Sequence, residues 1–283
     1  MPASCSPPIM VVNNNNIPLK ELTVIIKAAG EQATGIACRL YRANFRRILM
    51  LETPSPLAVR RQVSFCEAVH EKNMAVEGVE ALRITDDAER DAAWAAGKIA
   101  VRIDPKGESV ARCRPDVFID ATLAKRNLGT VITDAPLVIA LGPGFLAGTD
   151  CHVVIETNRG HDLGRLITTG MAAPNTSIPG DIAGYTRERV LRAPAEGVFD
   201  TRRQIGDMIC KGEVVGRVAT VDVVSQLDGV LRGLIRPGST VRAGLKIGDV
   251  DPRGDVGLCC TISEKARALG GGVLEAILAV YNR

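Results

Sequence analysis

Four short segments of this chain pair an acid or a glycine turn with cations and amides. They are Glu52-Thr53-Pro54 leading to Arg60-Arg61, Asp120-Ala121-Thr122 leading to Lys125-Arg126-Asn127, Gly142-Pro143-Gly144, and Glu156-Thr157-Asn158-Arg159-Gly160-His161. Guanidinium forks, side-chain amides and the backbone N–H groups of a glycine turn are what a phosphate- or carboxylate-bearing ligand needs. Each segment follows a short apolar run. As parallel strands, these runs would bring the segments, with Arg165, to one carboxyl rim, where open α/β sheets bind their ligands. The expected site is therefore a cationic rim for a small anionic ligand, built on Lys125, Asn127, Gly142, Gly144, Asn158, Arg159 and His161.

A fifth segment has a more specific spacing. Ala28-Ala29-Gly30-Glu31-Gln32-Ala33-Thr34-Gly35 stands between a strand pattern and a helix pattern, and Glu52 lies 22 residues beyond Gly30. That is where a dinucleotide-binding fold puts its phosphate loop and its ribose-binding acid. Gly30, Thr34, Gly35 and Glu52 are its cofactor-binding candidates. Ala28 takes the place of the first glycine, and Glu31 puts a negative charge where a pyrophosphate would meet the helix N-terminus. The nearest thing to a nucleophile is Cys260, which ends an apolar stretch next to Cys259. Thr261 and Glu264 are spaced for a capping box, and a thiol near a helix N-terminus can form a thiolate.

The elements that would position these groups follow α/β grammar as far as residue 190. Strands are expected at residues 23–28, 47–52, 116–120, 137–141 and 152–156, and helices at Ala33 to Ala43 and Asp86 to Ala96. Further on, Gly197, Gly206, Gly212 and Gly216 recur as Gly229, Gly238, Gly244 and Gly248, each displaced by 32 positions. Turn glycines between short Val/Ile runs read as a duplicated β unit. The pattern resembles the biotinyl/lipoyl-like barrel-sandwich domains, yet the segment joining the halves, Ala219 to Val224, has no lysine to carry biotin or lipoyl. Gly270 to Gly272 should break the helical pattern before a last amphipathic helix. The expected layout is a disordered lead over 1–20, a Rossmann-like α/β domain over 21–190, a barrel-sandwich over 191–255 and a helical segment over 256–283.

Composition narrows the class. The chain has 283 residues, with 46% hydrophobic, 24% charged and 3% aromatic residues, and a net charge of +3. It is long enough for about two domains. The charge is too small, and too little interleaved with aromatics, to suggest a nucleic-acid partner. No apolar run reaches the length of a membrane span or a signal-peptide core, so a cytoplasmic protein is expected. Eight cysteines without a C-x-x-C pair, and three histidines without H-E-x-x-H, give no metal-site spacing.

Five stretches together resemble the YqeB family, which is named for the selenium-dependent molybdenum hydroxylase system. They are Lys27 to Ala37, Leu141 to Phe145, Glu156 to Arg165, Arg192 to Gly197 and Thr261 to Ala276. The resemblance implies an accessory role in maturing molybdenum hydroxylases. The ligand would be molybdenum cofactor or a nucleotide and the partner an apo molybdenum hydroxylase; in that setting the Cys260 thiol, from its place near a helix N-terminus, is expected to carry or receive sulfur or selenium transiently. A nicotinamide-dependent oxidoreductase and a non-catalytic interaction protein remain open. The apolar C-terminal helix is compatible with a homo-oligomer.

Overall fold

The computed structural model describes residues 17–282, so most of the expected lead over 1–20 lies outside the described residues. They divide into two compact units. The first takes in the chain up to Pro56, Phe65–Asn175 and the chain from Ile262 on; the second takes in Leu57–Ser64 and Thr176–Thr261.

The first unit is built on one nine-stranded sheet. Its strands are β1 (Thr23–Lys27), β2 (Arg47–Glu52), β3 (Asn73–Val76), β4 (Val79–Ile84), β5 (Ile99–Ile103), β6 (Val117–Asp120), β7 (Leu137–Leu141), β8 (Val153–Ile155) and β9 (Leu166–Ile167). They lie in the order β3-β4-β5-β2-β1-β6-β7-β8-β9. Seven neighbours from β4 to β8 pair in parallel, while β3 and β9 run antiparallel at the two edges. Every residue of β7 and β8 is buried, as strands covered on both faces require. The short α2 (Ala68–Glu71) leads into β3, and one face of the sheet is covered by α3 (Asp87–Ala95) and α4 (Glu108–Cys113), whose Ala93, Trp94, Val110 and Cys113 join the core of Leu49, Phe118 and Val138.

Helices α1 (Glu31–Arg42) and α5 (Glu264–Tyr281) pack together without side chains at their closest points. A Cβ on Gly35 would fall 2.6 Å from the Cβ of Ala266, and one on Gly270 would fall 3.2 Å from the Gly35 carbonyl oxygen. On the next face a Cβ at Gly272 would fall 2.2 Å from the carbonyl oxygen of Gly164, in the loop after β8. Contrary to the expectation from sequence, Gly270 to Gly272 do not break the helix: α5 runs through them, with neighbouring backbone crowding Gly270 and Gly272 and open space at Gly271. Its cap also differs from the expected capping box. Ser263 accepts the Ala266 N–H, whereas the Thr261 hydroxyl donates to the Gly257 carbonyl.

The second unit holds two four-stranded antiparallel sheets. Its strands are β10 (Val190–Arg192), β11 (Gly197–Asp200), β12 (Met208–Ile209), β13 (Val214–Val218), β14 (Val221–Val224), β15 (Gly229–Leu234), β16 (Thr240–Val241) and β17 (Lys246–Asp251). One sheet is β10-β17-β15-β12 and the other β14-β13-β11-β16. The 32-residue repeat is visible in the backbone. Gly206 and Gly238, and likewise Gly212 and Gly244, sit in left-handed turns with φ between 80° and 104°. Gly216 and Gly248 are instead close-approach sites, where a Cβ would fall 2.7 Å from the Asp200 carbonyl oxygen and from Leu191 respectively.

The fold class expected from sequence is corrected on both counts. The first unit is a mixed nine-stranded sheet, not a parallel Rossmann-like one. Its edge strands are short and partly polar, as in Asn73-Met74-Ala75-Val76, so they leave no continuous apolar run to read. The second is a pair of four-stranded antiparallel sheets rather than a biotinyl/lipoyl-like barrel-sandwich. β10, which precedes the repeat, and β14, which joins its halves, each extend a sheet beyond the duplicated strands.

Candidate functional site

The parallel strands of the first unit end on a common edge, and each chain exit there has its own lock. After β1 the backbone passes through Ala28 in a left-handed conformation, φ 93°. The Ala29 N–H then donates to Glu52 Oε2 at 2.8 Å, while Glu52 Oε1 accepts from the Thr53 N–H at 2.8 Å. The acid placed by sequence for a ribose hydroxyl thus ties two backbone turns together. Gly30 is the N-cap of α1, offers no side-chain cap, and has open space where a Cβ would be. The first-turn N–H groups of α1 therefore have no side-chain cap from the N-cap residue. Beside it, Gln32 Oε1 is enclosed without a hydrogen-bond partner.

Two other candidates in this loop serve packing. Thr34 is fully buried, with its hydroxyl donating to the Ala29 carbonyl at 3.1 Å and accepting the Phe65 N–H at 2.8 Å. Gly35 is the contact with Ala266.

After β6, the buried Asp120 organises the loop. It accepts from the Thr122 hydroxyl at 2.6 Å and from the Thr130 hydroxyl at 2.6 Å, with Lys27 Nζ at 3.4 Å. Asn127 closes the same loop through two bonds of 2.8 Å to the Thr130 backbone. Lys125, at φ 63°, and Arg126 are exposed, and neither meets a carboxylate among the described residues. The glycine turn after β7 lies directly against them, since a Cβ on Gly144 would fall 2.5 Å from the Arg126 backbone nitrogen. Gly142 leaves the same kind of clearance for Thr157 Oγ1, at 2.6 Å. The loops after β6, β7 and β8 are thus in contact.

After β8, the buried Glu156 takes the Asn158 N–H at 2.7 Å and the Ala173 N–H at 2.7 Å. Asn158 and His161 are exposed, and Arg159 pairs with Glu264 in the first turn of α5. Next along that turn is Lys265, a residue the site prediction passed over. Burial pushes its amine below the usual lysine range, and the charge of Arg159 adds to this, with Glu31 and Glu156 opposing. A cation in the first turn of a helix opposes the macrodipole, and that misplacement was the signal available in sequence.

The structure therefore gathers two neighbouring groups on this edge. Lys125, Arg126, Gly142, Gly144 and Thr157 form one; Gly30, Glu31, Asn158, Arg159 and Lys265 form the other. It does not bring Arg60 or Arg61 to the rim. Both lie in the second unit, where Arg60 donates to the carbonyls of Leu258 and Thr261 and Arg61 to that of Leu234. Cys260 also belongs to the second unit. It is exposed, 3.5 Å from the Gly257 carbonyl oxygen, while burial pushes the neighbouring Cys259 thiol up. Among the described residues no group of three His, Cys, Asp or Glu side chains could hold a metal ion.

Open α/β sheets that bind ligands do so beyond the carboxyl ends of their strands, the edge where these cations and helix N-termini gather. The chain belongs to the YqeB family: it is 45% identical over 260 residues to "Uncharacterized protein YqeB" of Escherichia coli (strain K12), covering 92% of this chain and 48% of that protein. It thus spans about half the length of the curated relative it matches. No protein-family model matches it.

Among solved structures it is similar to an aspartoacylase family protein of Mesorhizobium loti, at 12% identity and a TM-score of 0.27, covering 81% of this chain and 85% of that one. A succinylglutamate desuccinylase/aspartoacylase of Rhodobacter sphaeroides gives 10% and 0.25 over the same shares. Likenesses this distant carry no activity to this chain. No helix among the described residues is long and apolar enough to cross a membrane.

Proposed function

We propose that this protein is an accessory factor in the maturation of molybdenum hydroxylases and that the carboxyl edge of its nine-stranded sheet binds a small anionic ligand, molybdenum cofactor or a nucleotide. The role rests on the sequence resemblance described above. The ligand class rests on one observation: Arg159 and Lys265 stand together at the first turn of α5, on the same edge where the Gly142-Pro143-Gly144 turn lies against Lys125 and Arg126. In this reading the open N-terminus of α1 at Gly30 and the turn at Gly142-Pro143-Gly144 supply N–H donors, and Lys265, Arg159 and Lys125 supply charge. Its partner is an apo molybdenum hydroxylase.

The test is a thermal-shift and calorimetric titration against molybdenum cofactor, CDP, CTP, NAD(H) and NADP(H). A ligand at a hundred times its dissociation constant stabilises the folded state by about 2.7 kcal/mol. Stabilisation by molybdenum cofactor or a cytidine nucleotide, lost in Lys265→Ala, is the expected result. Binding of a nicotinamide nucleotide alone would overturn the reading in favour of an oxidoreductase.

Cys260 enters this proposal as the exposed thiol that transiently carries sulfur or selenium: its thiolate attacks the outer atom of a donor persulfide or selenosulfide, and the donor's thiolate leaves. Cys260→Ser should lower the yield of active hydroxylase in a maturation assay while leaving ligand binding unchanged. A wild-type yield removes Cys260 from the role.

A further inference from the structure

A second groove, of about 660 Å³, opens on the first unit at the other end of the sheet, beside the residues that begin β1 and β2. Five cations line it, Lys20, Arg46, Arg47, Arg90 and Arg112, around the single tryptophan, Trp94. Among the described residues only Arg90 of these makes ion pairs, with Asp87 at 3.3 Å and Asp91 at 2.8 Å. Arg46 donates to the carbonyls of Tyr41 and Phe45 and to the Asn44 side chain, and lies 4.4 Å over the Tyr41 ring. Arg47 donates to the Glu21 carbonyl at 3.3 Å and Arg112 to the Ser109 hydroxyl at 3.4 Å. Lys20 has no hydrogen bond or ion pair among the described residues.

The groove holds five cations against two carboxylates, Asp87 and Asp91, and Asp87 is shared among Arg90, Arg102 and Arg112, so the cations repel one another and are only partly offset. The groove wall is nonetheless rigid. The Trp94 indole N–H donates to the Ile48 carbonyl at 2.9 Å, Arg90 stacks 4.9 Å from the ring centroid, and Arg90 also lies 3.1 Å from Cys113 Sγ. The buried Arg102 holds Asp87 at 2.8 Å, which engages one of the two carboxylates from below. The volume falls within the range of roughly 300–1,000 Å³ typical of small-ligand pockets. Guanidinium groups with unused donors bind phosphate oxygens in bidentate fashion.

We propose that this groove binds a small polyphosphate, either inorganic pyrophosphate or the phosphate tail of a nucleotide. The site is separate from the carboxyl edge and does not depend on the function proposed for it. Arg47 and Arg112 grip the phosphates, Arg46 and Lys20 add charge, and Trp94 and Cys113 report occupancy.

The test uses the full chain and two local reporters. Trp94 fluorescence is titrated with pyrophosphate and, separately, with ATP, and Cys113 alkylation by iodoacetamide is followed by mass spectrometry. A saturable Trp94 change is expected, weakened at least tenfold in Arg47→Ala/Arg112→Ala and by added salt, with Cys113 alkylation slowed several-fold by saturating pyrophosphate. Both arginines are exposed and bond only one neutral group each, so the double variant should keep its fold. Cys113 protection in the unaltered protein tests the proposal even if it does not. Equal affinity for both probes assigns recognition to the phosphates alone, and tighter ATP binding assigns it to a nucleotide; either supports the site. No saturable change up to about 10 mM, well above the millimolar limit of useful affinity, overturns it. So does an identical response in the double variant.

Discussion

Alanine at Gly271 and alanine at Gly272, one residue apart in α5, should move the stability of the first unit in opposite directions. A Cβ on Gly271 meets nothing within 4 Å, so Gly271→Ala only removes backbone freedom from the unfolded chain. A mid-helix glycine is about 0.5–1 kcal/mol worse than alanine, and the variant should gain that amount. At Gly272 the new methyl would lie 2.2 Å from the Gly164 carbonyl oxygen, which belongs to backbone. Gly164 itself is held at φ 84° and against the Ala268 carbonyl, so it cannot retreat. Overpacking against a fixed wall costs about 3 kcal/mol, the upper end of its usual range. Urea unfolding followed by Trp94 fluorescence reads the unit directly. Similar midpoints for the two variants would falsify the tight packing of α5 on the β8 loop.

The largest electrostatic effect is expected at Asp249 in the second unit, which is 1% exposed. Its carboxylate holds Arg189 Nη1 at 2.5 Å, Arg232 Nε at 2.9 Å and Lys246 Nζ at 3.3 Å. Arg189 and Arg232 are themselves buried. Asp249→Ala would take a carboxylate from two buried guanidinium groups, leaving Arg189 the Gly180 carbonyl and Arg232 the Asp251 carboxylate, and breaking a buried pair from one side costs about 3–5 kcal/mol. The same carboxyl should govern part of the acid limb. Burial pushes its pKa up, but the charges of Lys246, Arg232 and Arg189 outweigh that and hold it below the usual aspartate range. With the folded value lower than the unfolded one, near 3.9, the stabilisation is complete above that pH. It is lost as pH falls through the lowered folded value. Asp251, also buried and held low by Arg253 and Arg232 against its own burial, acts in the same direction. Circular dichroism of Asp249→Asn against wild type between neutral pH and pH 3 should show a smaller acid-dependent loss in the variant. Parallel curves would assign the acid limb elsewhere.

These outcomes bear on which parts of the molecule could be read from its residues. Continuous apolar runs such as Leu137 to Leu141 announce β7, and the 32-residue spacing announces the duplicated turns at Gly206 and Gly238. β5 was not legible because Arg102 interrupts Ile99 to Ile103, and only the structure shows Ser109 and Asp87 taking up that buried guanidinium. Three successive glycines look like a helix stop until the carbonyls of Gly35 and Gly164 are seen to need the space.

The candidate site was legible as a set of loops but not as a set of contacts. The meeting of Gly144 with Arg126 and of Gly142 with Thr157 depends on strand order. Arg60 and Arg61 carry the right charge in the right sequence neighbourhood, yet the chain takes them into the second unit. Lys265 was hidden for the opposite reason. It sits far along the chain in a segment that reads as an ordinary helix start.

The packing of α1 on α5 also orders events in time. Arg39 donates to the Arg267 carbonyl across 228 residues of sequence. A ribosome adding about 5–20 residues per second needs roughly 10–45 s to cover that interval. Throughout it the flank of α1 around Gly35 has no α5 to pack against, while every residue of the second unit emerges before α5 does. The first unit is thus the earlier to begin folding and the later to finish. Limited proteolysis of ribosome-held chains stalled before Ile262 should cut α1 readily, and resistance there would show that the unit closes without its last helix.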